Sequence, residues 1–284
     1  MAETSEVLQK HMTDNQRNYL VSLKEPLSPG RPPVELQQCI EELLRHTISL
    51  SVSGNLETDI GLSKELCTNL LDDDPSNPTV PLYKRLATSI SRFISSGSIL
   101  QSDSRVALKQ EASSLKQKED EFNYKLVWEK GRELLYMLER VDFELHVQEP
   151  FFSYLKSGEK TIEGRCAIGH YNKIEVGASI LINKCLLLQV KDVHHYDSFG
   201  EMLEAEPLSK VLPGVESIEE GVEVYRNFYT EEKERSNGVL AICVTKPVWQ
   251  PYLSMATIIS DLSYEGLQNL LQNVAHSSEQ CWST

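Results

Sequence analysis

Near residue 141 the spacing of apolar residues changes from three and four to two, and the two sides of that change must fold differently. On the N-terminal side Leu36, Ile40, Leu43, Leu44 and Ile48 recur at helical spacing, as do Leu82, Leu86, Ile90, Phe93 and Ile94 after Pro81. Beyond it Phe143, Leu145 and Val147 alternate with Glu144, His146 and Gln148, the pattern of a half-buried strand. The expected organisation is a partly ordered leader over 1–33, a helical region over 34–140, a β-barrel domain over 141–247 and a helical tail over 248–284, its helix running from about Ser263 to Ala275. The leader ends in a breaker cluster, Pro26-Leu27-Ser28-Pro29-Gly30-Arg31-Pro32-Pro33, which cannot continue a helix.

Within the helical region a second helix is expected from Ser63 to Leu71, stopped by the acidic break Asp72-Asp73-Asp74-Pro75-Ser76-Asn77-Pro78. A highly charged helix is expected from Ser104 to Arg140, docking through Leu126, Trp128, Leu134, Leu135 and Leu138. Its apolar repeat is too irregular for a sustained heptad. In the second half Glu149-Pro150 opens a short helix, and Gly158 is placed to end it in the left-handed conformation. Strands are expected over 160–165, 179–183, 185–193 and 238–244, with Asn183-Lys184 as a tight connection. Two capping boxes, Ser198-Phe199-Gly200-Glu201 and Ser217-Ile218-Glu219-Glu220, announce helices. Strand, helix, strands, helices and strand in this order make an α+β fold: an all-helical region followed by a small mixed barrel.

Composition excludes several functions. The 284 residues carry 28 Lys and Arg against 42 Asp and Glu, a net charge of −14. That argues against coating nucleic acid or anionic lipid by charge alone, while leaving room for a small basic site. No apolar run reaches transmembrane length, and MAETSEVLQK has no signal-peptide core, so an intracellular protein, cytoplasmic or nuclear, is expected. Cys39, Cys67, Cys166, Cys185, Cys243 and Cys281 are scattered without metal-ligand spacing and read as reduced thiols. Adjacent His194 and His195 point to opposite strand faces, so no metal or other cofactor is expected. There is no phosphate loop, dinucleotide fingerprint or nucleophile elbow. Arg165 beside Cys166 could lower that thiol's pKa, yet no protease-like His and Asn accompany it. Trp249, Tyr252 and Trp282 are expected to pack on the barrel or an adjoining helix.

The chemistry is concentrated in Ser157-Gly158-Glu159-Lys160-Thr161-Ile162-Glu163-Gly164-Arg165. In an extended chain Thr161, Glu163 and Arg165 share one face while Lys160 and Ile162 take the other, with Glu163 and Arg165 about 7 Å apart along the strand. Such a pair either holds a shared polar ligand, the guanidinium donating and the carboxylate accepting, or forms a structural ion pair.

Phe143-Glu144-Leu145-His146-Val147-Gln148-Glu149-Pro150-Phe151-Phe152 followed by this G-x-K-T-x-E-x-R run resembles the start of an ASCH (activating signal cointegrator homology) domain, a group within the PUA-like barrels. Ile174-Glu175-Val176-Gly177, Tyr196-Asp197-Ser198-Phe199 and Gly238-Val239-Leu240-Ala241-Ile242 extend the resemblance over about residues 141–247. It implies a non-catalytic RNA-binding module of transcription-coactivator type, with a cleft lined by Lys160, Thr161, Glu163, Arg165 and Tyr171. Lys160 and Arg165 would meet phosphate or a base edge, and Glu163 would orient Arg165 or accept from a base amine. Phe199 would be core or a stacking platform. A branch of the same family hydrolyses N4-acetylcytidine with a Lys-Thr-x-Thr-x-Arg run; here Glu163 replaces the second Thr, and its charge would keep Lys160 an ammonium. The later glutamate of that branch could be Glu201, Glu204 or Glu206. A third reading gives the helical half a protein partner, with the barrel a scaffold. Residues 141–250 hold 11 basic and 18 acidic positions, most of the excess between Glu201 and Glu234. If the helices carrying it cover the far side of the barrel, the cleft stays positive and binds RNA with weak to moderate affinity.

Overall fold

The computed structural model describes residues 35–72, 81–96 and 113–279; the expected leader, most of the acidic break, residues 104–112 and Trp282 lie outside them. Helices α1 (Leu36–Ser53), α2 (Lys64–Leu71), α3 (Leu82–Ser96) and α4 (Ser113–Leu138) precede the first strand. The periodic residues of α1 are its buried face, and Gly54 closes it at φ 73° with its N–H on the Leu50 and Ser51 carbonyls. Ser63 caps α2 by accepting from the Leu66 N–H.

The second half runs β1 (Phe143–Leu145), α5 (Phe151–Ser157), β2 (Ile162–Cys166), a 3-10 turn (Tyr171–Lys173), β3 (Ser179–Ile182) and β4 (Leu186–Tyr196). It continues with α6 (Phe199–Ala205), α7 (Leu208–Val211), α8 (Ile218–Arg226), α9 (Glu231–Asn237), β5 (Val239–Thr245) and α10 (Pro251–Glu279). Gly158 ends α5 at φ 84°, and Asn183 and Lys184 take φ 49° and 59° in the β3–β4 hairpin. Ser198 and Ser217 cap α6 and α8, accepting from Glu201 and Glu220. Strand β2 begins at Ile162 rather than Lys160, and β4 extends to Tyr196 through a bulge between Val190 and Asp192. The C-terminal helix starts at Pro251, well before the tail expected from about residue 263. Met255, Ile258, Ile259 and Leu262 give its N-terminal part the same three-and-four spacing as α1, and all are buried.

The described strands form one mixed sheet in the order β1-β3-β4-β5-β2, curled into a half-barrel, and the fold class is α+β. β1 runs parallel to β3 and the other pairs are antiparallel. β2 and β1 are therefore the two edges. The Val244 N–H bonds the Thr161 carbonyl at 2.8 Å, and the Ala167 N–H bonds the Gly238 carbonyl at 3.0 Å. This register turns the Thr161 carbonyl and the backbone groups of Glu163 and Arg165 towards β5, and those of Ile162, Gly164 and Cys166 towards the free edge. That edge is covered by nearby groups. Lys160 Nζ donates to the Ile162 carbonyl at 2.7 Å, the Ile168 N–H reaches the Cys166 carbonyl at 2.8 Å, and the Tyr225 hydroxyl lies over Gly164. A Cβ on Gly164 would sit 2.3 Å from that hydroxyl oxygen, so the strand can lie against Tyr225 because residue 164 has no side chain.

Ile162 and Cys166 join Phe199, Met202, Leu203, Val211, Leu212 and Tyr225 in one apolar cluster between β2 and helices α6–α8. The helices before β1 meet the sheet at the β3–β4 hairpin. Cys39 Sγ donates to the Lys184 carbonyl at 3.4 Å, and Cys185 Sγ to the Glu42 carbonyl at 3.6 Å. Burial pushes the Cys39 thiol up to about 12 and raises Cys185 as well. The cysteines among the described residues are free thiols. No described helix is long and apolar enough to cross a membrane.

Gln250 ties α10 to the sheet. It is 1% exposed, accepts from the Leu187 N–H and donates to the Leu187 carbonyl, both at 3.0 Å, and donates to the Pro247 carbonyl at 2.8 Å. Gln250→Leu leaves these buried backbone groups unpaired and is expected to lower unfolding free energy by about 1–3 kcal/mol, measured by urea denaturation.

Candidate functional site

The turn at Gly158 brings the chain back across α5, where the Lys160 N–H bonds the Tyr154 carbonyl and the Thr161 N–H bonds the Lys210 carbonyl, each at 3.0 Å. Lys160 is 2% exposed, and its ammonium spends its donors internally. They meet the carbonyls of Ile162 and Val211 and, at 3.1 Å, Glu163 Oε2. The Phe151 ring lies 5.7 Å from Nζ. Strand alternation would have placed Lys160 opposite Glu163. It fails because β2 starts two residues later, and the flexible four-carbon stem turns back onto the carboxylate.

Glu163 and Arg165 share a face as strand geometry requires. Arg165 Nε lies 2.9 Å from Glu163 Oε1, at ion-pair distance although its N–H is not aligned for a hydrogen bond. Arg165 Nη2 donates to the His146 carbonyl at 2.5 Å, so the guanidinium spans from one edge of the half-barrel to the chain leaving the other. The same group stands 5.9 Å from the Tyr171 ring centroid and meets the Tyr229 hydroxyl. Its side chain retains 15% exposure. Thr161 and Tyr171 are half-buried.

Burial alone would raise the Glu163 pKa, but Lys160 and Arg165 overcome it and hold the carboxyl below its usual range. Lys160 is lowered because burial outweighs the attraction of Glu163. The sequence expectation had the sign of the Glu163 effect right but omitted desolvation, which is larger here. Cys166 is likewise pushed up to about 11 by burial, so proximity in sequence to Arg165 does not activate it.

Phe199 is fully buried and belongs to the core. Its ring stacks on Tyr225 at 4.0 Å and on Tyr229 at 5.5 Å. Tyr229 was missing from the sequence-based site: it follows α8 in an unremarked Asn227-Phe228-Tyr229-Thr230 connection, and nothing in spacing ties it to β2. The acidic helices therefore do not lie wholly on the far side of the barrel, because the α8–α9 connection reaches Arg165.

The three candidate glutamates lead elsewhere. Glu201 accepts from the Asp197 N–H, Glu204 is exposed, and Glu206 accepts from the Tyr196 hydroxyl at 2.8 Å. Glu206 also pairs with His194 Nδ1 at 2.5 Å, while His194 Nε2 lies 3.2 Å from Asp192. No group of three or more His, Cys, Asp or Glu among the described residues is arranged to hold a metal.

Lys160→Met removes one partner from a buried carboxylate and is expected to cost about 3–5 kcal/mol in urea denaturation, more than a surface lysine would. A second outcome concerns His194, whose pKa is raised chiefly by its hydrogen bond to Glu206. A raised histidine stabilises the fold fully below its unfolded pKa, and that contribution disappears as pH rises through the folded value. An NMR titration should place His194 above an ordinary histidine, and Glu206→Gln should bring it down.

The ASCH domain family model matches residues 145–248. Among solved structures, a crystal structure of the hypothetical protein PH0355 is 44% identical, covering 37% of this chain and 98% of that one with a TM-score of 0.36. A solution NMR structure of protein PF0455 from Pyrococcus furiosus is 44% identical, covering 38% and 98%, with a TM-score of 0.34. No curated protein matches the chain. Through residues 145–248 this chain belongs to the ASCH domain family.

Proposed function

We propose that the ASCH domain binds RNA without catalysis, using Arg165 and Tyr171 as contacts and Glu163 to orient the guanidinium. Lys160 acts from below by neutralising and fixing Glu163, and Thr161 lies at the start of the same strand. The family supports an RNA-binding type of module in a PUA-like fold. The observation that carries the reading is the Arg165 guanidinium, held by Glu163 and the His146 carbonyl with Tyr171 and Tyr229 beside it. A guanidinium plane with aromatic neighbours is the equipment that single-stranded RNA recognition uses. The exposed Lys173, closing the turn that starts at Tyr171, is the cation nearest in sequence to Tyr171 that could meet a flanking phosphate.

Lys160 favours this reading over hydrolysis of an acylated nucleoside. Its ammonium is committed to two carbonyls and a carboxylate, which leaves no donor facing a substrate. The net charge of −14 argues for few phosphate contacts. Each such contact contributes about 0.7 to the salt slope of single-strand binding.

Fluorescence anisotropy with short single-stranded RNA is expected to show binding with a shallow slope of about −1 to −2 in log K against log salt. Arg165→Ala should weaken it about tenfold or more, with Arg165→Lys also impaired because the planar fork is lost. Equal binding by wild type and an Arg165→Ala/Tyr171→Ala variant that remains folded would overturn the proposal. Release of acetate from N4-acetylcytidine would move the assignment to hydrolysis.

A further inference from the structure

An aromatic column runs from the core to the candidate site. Tyr225, 6% exposed, stacks on Phe199 at 4.0 Å and an interplanar angle of 8°. Phe199, fully buried, stacks in turn on Tyr229 at 5.5 Å and 25°. Tyr229 is half-buried and ends the column at the surface, where its hydroxyl meets Arg165. Tyr171 lies on the same guanidinium. The residue before Tyr229, Phe228, is 50% exposed on the connection between the two helices.

These features share one chemistry. The column is rigid because two of its rings are locked in the core, so Tyr229 presents a fixed aromatic ring at little entropic cost. The guanidinium offers a second flat, cationic surface beside it. The surroundings disfavour a phosphate backbone: Glu223, Glu231 and Glu232 are exposed on either side of Tyr229 in the chain. A planar, polar-edged base with few phosphates beside it fits this setting better than a run of phosphates or an acidic peptide.

We propose that Tyr229, together with Tyr171 across the Arg165 guanidinium, forms the stacking wall for one unpaired nucleobase of a single-stranded RNA. This rests on the RNA-binding reading above and adds the part of the ligand that is held and the helix connection that holds it. Phe228 borders the neighbouring nucleotide. Duplex RNA, whose bases are already stacked on each other, is excluded from the wall.

The test uses the full chain and a short single-stranded RNA carrying one 2-aminopurine, whose fluorescence is quenched on stacking. Binding to wild type and to Tyr229→Phe, which keeps the ring and loses the hydroxyl, should quench the probe. Tyr229→Leu should abolish quenching and weaken binding about tenfold, the range of one base–aromatic stack. Thermal melting checks that the variant is folded. Should it not fold, Tyr171→Leu, on a surface turn outside the column, is expected to give a partial loss of quenching. Wild-type quenching retained in both leucine variants overturns the wall. RNA bound by wild type without quenching, yet lost in Arg165→Ala, overturns the wall and leaves RNA binding standing. Equal affinity for a duplex of the same sequence also overturns it. Absence of any RNA binding by wild type removes this proposal and the reading it rests on.

Discussion

A carboxylate almost out of reach of water, with a cation on each side, sets the shape of the barrel's free edge. Glu163 at 8% exposure could not stay ionised there alone, since desolvating a lone carboxylate costs several kcal/mol. Lys160 and Arg165 supply the compensation, and each has a second task. Lys160 caps the outward carbonyl of Ile162 and ties β2 to the end of α7 through Val211. Arg165 reaches the His146 carbonyl just past β1. An apolar array of the same volume could be equally stable. It could not reach carbonyls on two other elements, so the value of the charges is positional.

That arrangement also deals with the hazard of an edge strand. β2 pairs along one side, and its outward groups would otherwise template another strand. Here a lysine and the Ile168 N–H occupy two of them, and Tyr225 covers Gly164 between the two. The same capping freezes the segment from Lys160 to Cys166 against the core cluster, so Arg165 projects from a fixed base. Rigidity of the site thus follows from protection of the edge, and Gly164 is the residue that permits both by letting Tyr225 approach the strand.

Much of this fold was legible in the sequence where a local rule sufficed. Gly158, the Asn183-Lys184 turn and the serines at 198 and 217 are each explained by their own backbone, and each stands where expected. The pairing of Glu163 with Arg165 followed from a two-residue repeat. Lys160 did not, because its position depends on a strand boundary that pattern alone places only within a few residues. The N-terminal part of α10 carries helical spacing in Met255, Ile258, Ile259 and Leu262, but Pro247 and Pro251 interrupt the pattern just before it. Tyr229 was out of reach for a deeper reason. It joins β2 through tertiary folding of α6 and α8 over the sheet, and no spacing within one element encodes that contact.

Charge takes on a different meaning once Tyr229 is in place. Read as a total, −14 speaks against nucleic acid unless the acidic helices cover the far side of the barrel. The structure instead brings the connection between two of those helices to the guanidinium. Acidic residues near a site repel a phosphate chain, and that repulsion grows with every phosphate brought close. A single base, neutral and flat, meets little of it. In the proposed role the acidic flanks would act on specificity: they would penalise extended backbone contact and duplexes, while the cationic plane of Arg165 and the rings beside it would still reward an exposed base. On the proposed reading, an acidic ASCH domain of this form would take one nucleotide presented out of its stack, with the rest of the strand held at a distance.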